Sequence, residues 1–237
     1  MKLKLVLVLM VAVSAGVQAQ QTKPRESSDD QSQSVTNEDR GRAYIISGDM
    51  PPLFTSGNHD RVIAAPQQNS IFLGRGWETT PLRAREPELA NLLAHISDQS
   101  QLSALDERGV KNFFAATSSQ ETFNDVAGDR LISDLAIQRV LAGMLKEGSL
   151  QRPNASTIYV IFLDPELRST LGTMIGGKHY LAYHNFFNTS GVKVHYVVVP
   201  FEANQKTAYQ IALRAFLAAV LNPKGAGSQQ SAATGKL

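Results

Sequence analysis

Three histidines lie close enough along the chain to share a site: His179, His184 and His195. Neutral imidazole is a common metal ligand. A zinc centre needs three or four such ligands converging from fixed elements. These three converge only if residues 180–187 and 192–199 pair as neighbouring strands. Their spacing matches no metal signature, so the expectation is that they hold no metal. His184 then packs inside the domain, and His195 lies on a solvated strand face. Gly172 to His179 (GTMIGGKH) comes within one residue of the phosphate-binding pattern GxxxxGK[ST]. His179 stands where that pattern needs a hydroxyl for magnesium. The stretch reads as a flexible glycine loop, and no cofactor is expected. Neither HExxH nor GxSxG occurs. Asp49, Asp60, Asp164 and Glu202 are scattered acids in loops. Carboxylate pairs for glycoside chemistry are defined by separation in space, so the sequence neither supplies nor removes one.

The ends of the chain bound where such chemistry would take place. Lys2 and Lys4 precede an unbroken apolar run from Leu5 to Val13, and Val17-Gln18-Ala19 supplies small residues for a peptidase. This is the pattern of a secretory signal peptide over residues 1–19, cleaved near Ala19. The run is shorter than the ~20 residues that cross a bilayer, so no membrane insertion is expected after cleavage. The protein is expected to be secreted or periplasmic. The 237 residues contain no cysteine, which excludes disulfides, thiolate metal sites and cysteine nucleophiles. The formal net charge is +2 with the charges interspersed, so the basic face of a nucleic-acid binder is missing. Residues 20–43 are polar and read as a disordered linker. Residues 224–237 read as a flexible tail. Residues 44–223 form the globular body.

Inside the body, Asn69 to Leu73 reads as a short buried strand that ends at Gly74-Arg75-Gly76, with Trp77 after it. Glu86 to Ser97 reads as a helix with Leu89, Leu92, Leu93 and Ile96 on one face. Ser133 is an N-cap for a helix carrying Ile137, Val140, Leu141, Met144 and Leu145, stopped by Gly148. Thr157 to Leu163 (TIYVIFL) is a continuous apolar run typical of a central strand. Residues 180–187 are extended. In Val192 to Val199, Val192, Val194, Tyr196 and Val198 share one face, and Lys193 and His195 the other. Thr207 to Leu221 is a helix with Tyr209, Ala212, Leu213, Phe216, Leu217 and Val220 on its buried stripe. The alternation argues for one α/β domain, a mixed β-sheet packed by helices.

Taken in order, several of these segments resemble the EXORDIUM / phosphate-induced protein family. The resemblance runs through NSIFLGRGW (Asn69 to Trp77), Ser133 to Asp164, AYHNFF (Ala182 to Phe187), GVKVHYVVVPF (Gly191 to Phe201) and FLAAVLNPKGAG (Phe216 to Gly227). It implies an exported protein of growth or cell-wall contexts, with a zincin-like fold as one option and no established chemistry. The chain departs from the plant members in lacking cysteines. Bacterial relatives can carry a His-Glu pair in the last helix, and Arg214 and Ala215 stand there in this chain. Arginine has no lone pair for zinc, so the resemblance implies a lost metal site.

The leading expectation is therefore an exported, non-catalytic binding or envelope-associated protein whose partner is unknown, with a cell-wall or extracellular polymer as one option. One competing class is a hydrolase using loop carboxylates and His184. Another is a carbohydrate-binding module, which needs Trp77, Tyr183, Phe186 and Phe187 to line one surface. The aromatics read more simply as core.

Overall fold

The computed structural model describes residues 43–48, 62–96, 99–111, 114–115, 119–121 and 131–225. The expected signal peptide, nearly all of the linker, most of the tail, and Asp49 and Asp60 lie outside the described residues.

The most apolar run in the body becomes the middle of the sheet. Strand β6 (Thr157–Leu163) is buried at every position. It lies between β2 (Gln67–Leu73) and β10 (Val192–Val199), parallel to both. Strands β9 (Ala182–Thr189) and β1 (Tyr44–Ile46) extend the sheet antiparallel beyond β10. On the other side, β3 (Phe114–Ala115) and β4 (Ser119–Glu121) pair parallel with β2. Among the described residues the result is a seven-stranded mixed sheet of order β1-β9-β10-β6-β2-β3, with β4 also on β2. A small second sheet joins β5 (Leu131–Ser133), β7 (Arg168–Leu171) and β8 (Met174–Ile175).

A strand buried on both faces must be covered on both faces, and this one is. Ile158, Val160 and Phe162 face one core, with Phe72, Val197, Val199 and helix α5 (Gln205–Leu221). Tyr159, Ile161 and Leu163 face the other, with Val194, Val198 and helix α4 (Asp134–Glu147). Between β2 and β3 the chain forms α1 (Thr80–Arg83), α2 (Glu86–Leu89) and α3 (Gln99–Glu107). The α/β class expected from the sequence is the class observed. Among the described residues, no helix is long and apolar enough to cross a membrane.

The caps behave as the sequence reads. Ser133 accepts from the Ala136 amide at 3.2 Å, and Gly148 closes α4 at φ 79°. Asn204 caps α5, accepting from the Thr207 amide at 2.9 Å. Five expectations are corrected. The helix read over Glu86–Ser97 is broken into α2 and a 3-10 turn at Leu92–His95, because Asn91 leaves helical geometry at φ −135°, ψ 63°. Leu89, Leu92 and Leu93 still reach the core. The strand read over 180–187 starts at Ala182 and runs to Thr189. Gly172 to His179 is no loose loop. It turns the hairpin between β7 and β8, and Gly176 then bonds back to Ser169. Val192 stands 39% exposed at the start of its strand, while His195 is buried. From Ile211 onward helix α5 has no exposed position, so Ala215 and Ala218, left off the expected stripe, are in the core, and Tyr209 and Leu213 are only half-buried.

Candidate functional site

The three candidate histidines are not brought together. His179 is exposed, and its Nδ1 accepts from the Ile175 amide at 2.8 Å, which ties it to its own turn. His184 and His195 share the α5 face of the sheet. In the β9–β10 register His184 opposes Val197 and His195 opposes Phe186, which makes the two histidines diagonal neighbours. Tyr44 lies opposite His184 on β1 and stacks on it, with ring centroids 5.0 Å apart. The His184 Nε2 is sealed from solvent and has no hydrogen-bond partner among the described residues. Burial pushes the His184 imidazole down to about 3, and the neighbouring His195 adds to this. Burial pushes His195 down to about 4, helped by the Lys193 ammonium. Both are neutral at physiological pH. His195 is not on a solvated face because α5 packs over β9 and β10. Among the described residues, no three histidine or carboxylate side chains gather where a metal could sit.

The opposite face of the same two strands holds a polar cluster that sequence reading missed. Asp134 opens α4, and its carboxylate meets four donors. Oδ1 accepts from the hydroxyls of Tyr183 at 2.8 Å and Tyr196 at 2.6 Å. Oδ2 accepts from the amides of Gln138 at 2.9 Å and Asn185 at 3.1 Å. Gln138 also donates to the Tyr196 oxygen at 2.9 Å. Burial holds the Tyr183 and Tyr196 phenols well above the usual tyrosine range, and the Asp134 charge adds to this. A signal was present in the sequence: Tyr183, Asn185 and Tyr196 occupy positions of strands that alternate into a core, where a polar group needs a partner.

The third polar region is the carboxyl end of the parallel strands. The chain leaves β2 toward β3 and β4, but leaves β6 toward the β10 side. The ends of β2 and β6 therefore flank the switch point at which open α/β sheets bind ligands. Gly74 and Gly76 follow β2, and Asp164 follows β6. Asp164 is 2% exposed. Its Oδ2 accepts from the Gly76 amide at 2.7 Å, and its Oδ1 from the amides of Glu166 and Leu167, each at 2.9 Å. Trp77 lies beneath, its indole N–H donating to the Phe162 carbonyl at 3.1 Å. Beyond α1, Arg85 is buried with its guanidinium 5.4 Å over the Phe201 ring, donating to the Glu202 carbonyl at 2.7 Å. Burial lowers the Arg85 pKa, opposed by Glu202 and Glu88. Burial raises that of Glu86, opposed by Arg83. Asp164 and Glu202, expected as scattered loop acids, are thus both at the strand ends.

The aromatics that a sugar-stacking surface would use are dispersed into the core. Trp77, Tyr183 and Phe187 are buried on both sides of the sheet, and Phe186 is half-buried beneath the Lys193 ammonium. Comparison of the chain with protein-family models, with curated proteins and with solved structures finds no match.

Proposed function

We propose that this is an exported, non-catalytic binding protein that works in the cell envelope or outside the cell. The signal-peptide pattern over residues 1–19 supports export. One observation carries the non-catalytic reading. Three of the groups offered by the sequence for chemistry are engaged within the fold: Asp164 holds three backbone amides, and His184 and His195 are buried as neutral imidazoles. A general base must reach the proton it abstracts, and His184 is sealed beneath Tyr44 and α5. The reading also takes the chain as EXORDIUM-like, with Arg214 and Ala215 in place of metal-binding chemistry, and takes an extracellular or cell-wall polymer as its partner.

The test combines location, binding and turnover. N-terminal sequencing of exported protein should begin at or near Gln20, and recovery of the intact Met1 form from the cytoplasm would end the export reading. The purified protein is then sedimented with insoluble cell-wall polymer, and the supernatant is assayed for new reducing ends and free amino groups. Retention in the pellet without soluble products is expected. Products whose release is abolished by His184→Leu would establish the hydrolase instead. Elemental analysis is expected to find no stoichiometric zinc.

A further inference from the structure

We infer that the backbone amides at the switch point form a seat for a single carboxylate that the protein fills from within, with Asp164. An anionic ligand therefore reaches these amides only by displacing that side chain.

The seat is built from backbone. Three amide N–H groups, from Gly76, Glu166 and Leu167, point at the two carboxylate oxygens over 2.7–2.9 Å. Convergent backbone amides of this kind bind anions in many folds. Here they come from both strand ends, so the carboxylate ties the turn after β2 to the turn after β6. The walls fit it closely. A Cβ at Gly74 would stand 2.3 Å from Asp164 Cγ, and one at Gly76 would stand 3.1 Å from Asp164 Cβ. Gly74 also takes φ 114°, ψ 155°, a conformation essentially restricted to glycine. Both glycines of the Gly74-Arg75-Gly76 turn are thus explained by the approach of one side chain. On the side of these two glycines the backbone already lies against the carboxylate, so the further oxygens of a phosphate would press on it. The strand order makes this point the switch point of the sheet, where open α/β sheets bind ligands, and the group held there is part of the chain.

The experiment empties the seat and offers a replacement. Asp164→Ala removes the carboxylate and keeps the backbone donors. Formate, the smallest carboxylate, is the probe, with chloride at equal ionic strength as the control. Thermal unfolding is followed by the fluorescence of the single tryptophan, Trp77. In chloride, Asp164→Ala is expected to melt about 10 °C below wild type, because buried amides lose charge-assisted partners. Formate at several hundred millimolar should raise the Tm of Asp164→Ala by at least about 3 °C more than that of wild type, as a weakly bound ligand does. Phosphate at the same ionic strength should give no such gain. Asp164→Asn fills the seat with an amide, so it should lose stability but gain nothing from formate. If Asp164→Ala does not fold in chloride, recovery of its far-UV circular dichroism on adding formate is the expected result. Equal formate effects in wild type and Asp164→Ala, or no recovery of an unfolded Asp164→Ala, would overturn the inference. So would stability of Asp164→Asn equal to wild type.

Discussion

Stability should fall on mild acidification, through a window set by two buried imidazoles. In the unfolded chain, His184 and His195 each take up a proton near pH 6.5. In the folded protein they resist until about 3 and about 4. Between these limits the unfolded chain binds more protons, so stability is complete above pH 6.5 and is lost as pH falls. At full slope each group contributes about 1.4 kcal/mol per pH unit. Over pH 6.5 to 5, where the unfolded imidazoles are only partly protonated at the start, this integrates to about 1.5 kcal/mol each and about 3 kcal/mol for the pair. That is a large share of the stability of an ordinary domain, about 5–15 kcal/mol. The window lies above most carboxylate titration. The groups acting on the pair do not offset the loss: His195 acts on His184, and Lys193 on His195. Urea unfolding at pH 5, 5.5, 6 and 6.5, followed by Trp77 fluorescence, measures the slope. His184→Leu and His195→Leu should each remove about half of it, and the double variant nearly all. His59, His95 and His179 are present in every variant and cancel in the difference. Identical slopes in wild type and the double variant would show that these side chains are not held neutral in the fold.

Three further outcomes are expected. Asp134→Ala leaves two tyrosine hydroxyls and two amides without their acceptor and should cost about 3 kcal/mol, whereas Tyr196→Phe, which removes one of those hydroxyls, should cost about 1–2 kcal/mol, both read from urea midpoints. Gly74→Ala combines a positive φ with a 2.3 Å approach and should destabilise by more than about 3 kcal/mol, while Gly143→Ala, in the interior of α4 with open space at its Cβ, should stabilise by about 0.5–1 kcal/mol; equal melting temperatures for the two would refute this account of the switch-point turn. Phe216→Ala in the fully buried middle of α5 should cost about 3–5 kcal/mol in chemical denaturation.

The alternation of apolar residues carried the framework. TIYVIFL is apolar at every position after Thr157, which suits burial on both faces, and the sequence alone marks it as central. Ser133 and Gly148 bound α4 through local hydrogen bonds and a local φ, so their meaning is legible without the rest of the fold. Failures occurred where local pattern and tertiary cover diverge. His195 has the alternation of a solvent-facing residue, but α5 packs over that face of β9 and β10. Ala215 and Ala218 are small rather than strongly apolar, so periodicity left them outside the buried stripe, yet both are buried in the core. Trp77, Tyr183 and Phe187 read as core by type, and they are core.

The candidate sites were the least legible part. Asp134 sits in sequence 49 residues from Tyr183 and 62 from Tyr196, and no local rule joins them. Asp164 and Gly76 are 88 residues apart. The sequence alone determined which groups exist, which strands could be central and where helices start and stop, because those depend on side-chain type and on neighbours within a turn. The tertiary structure alone decided which carboxylates are engaged and which histidines are sealed. A hydrogen bond or a desolvated imidazole depends on atoms brought together by the sheet order, and the order β1-β9-β10-β6-β2-β3 is set by packing between distant segments.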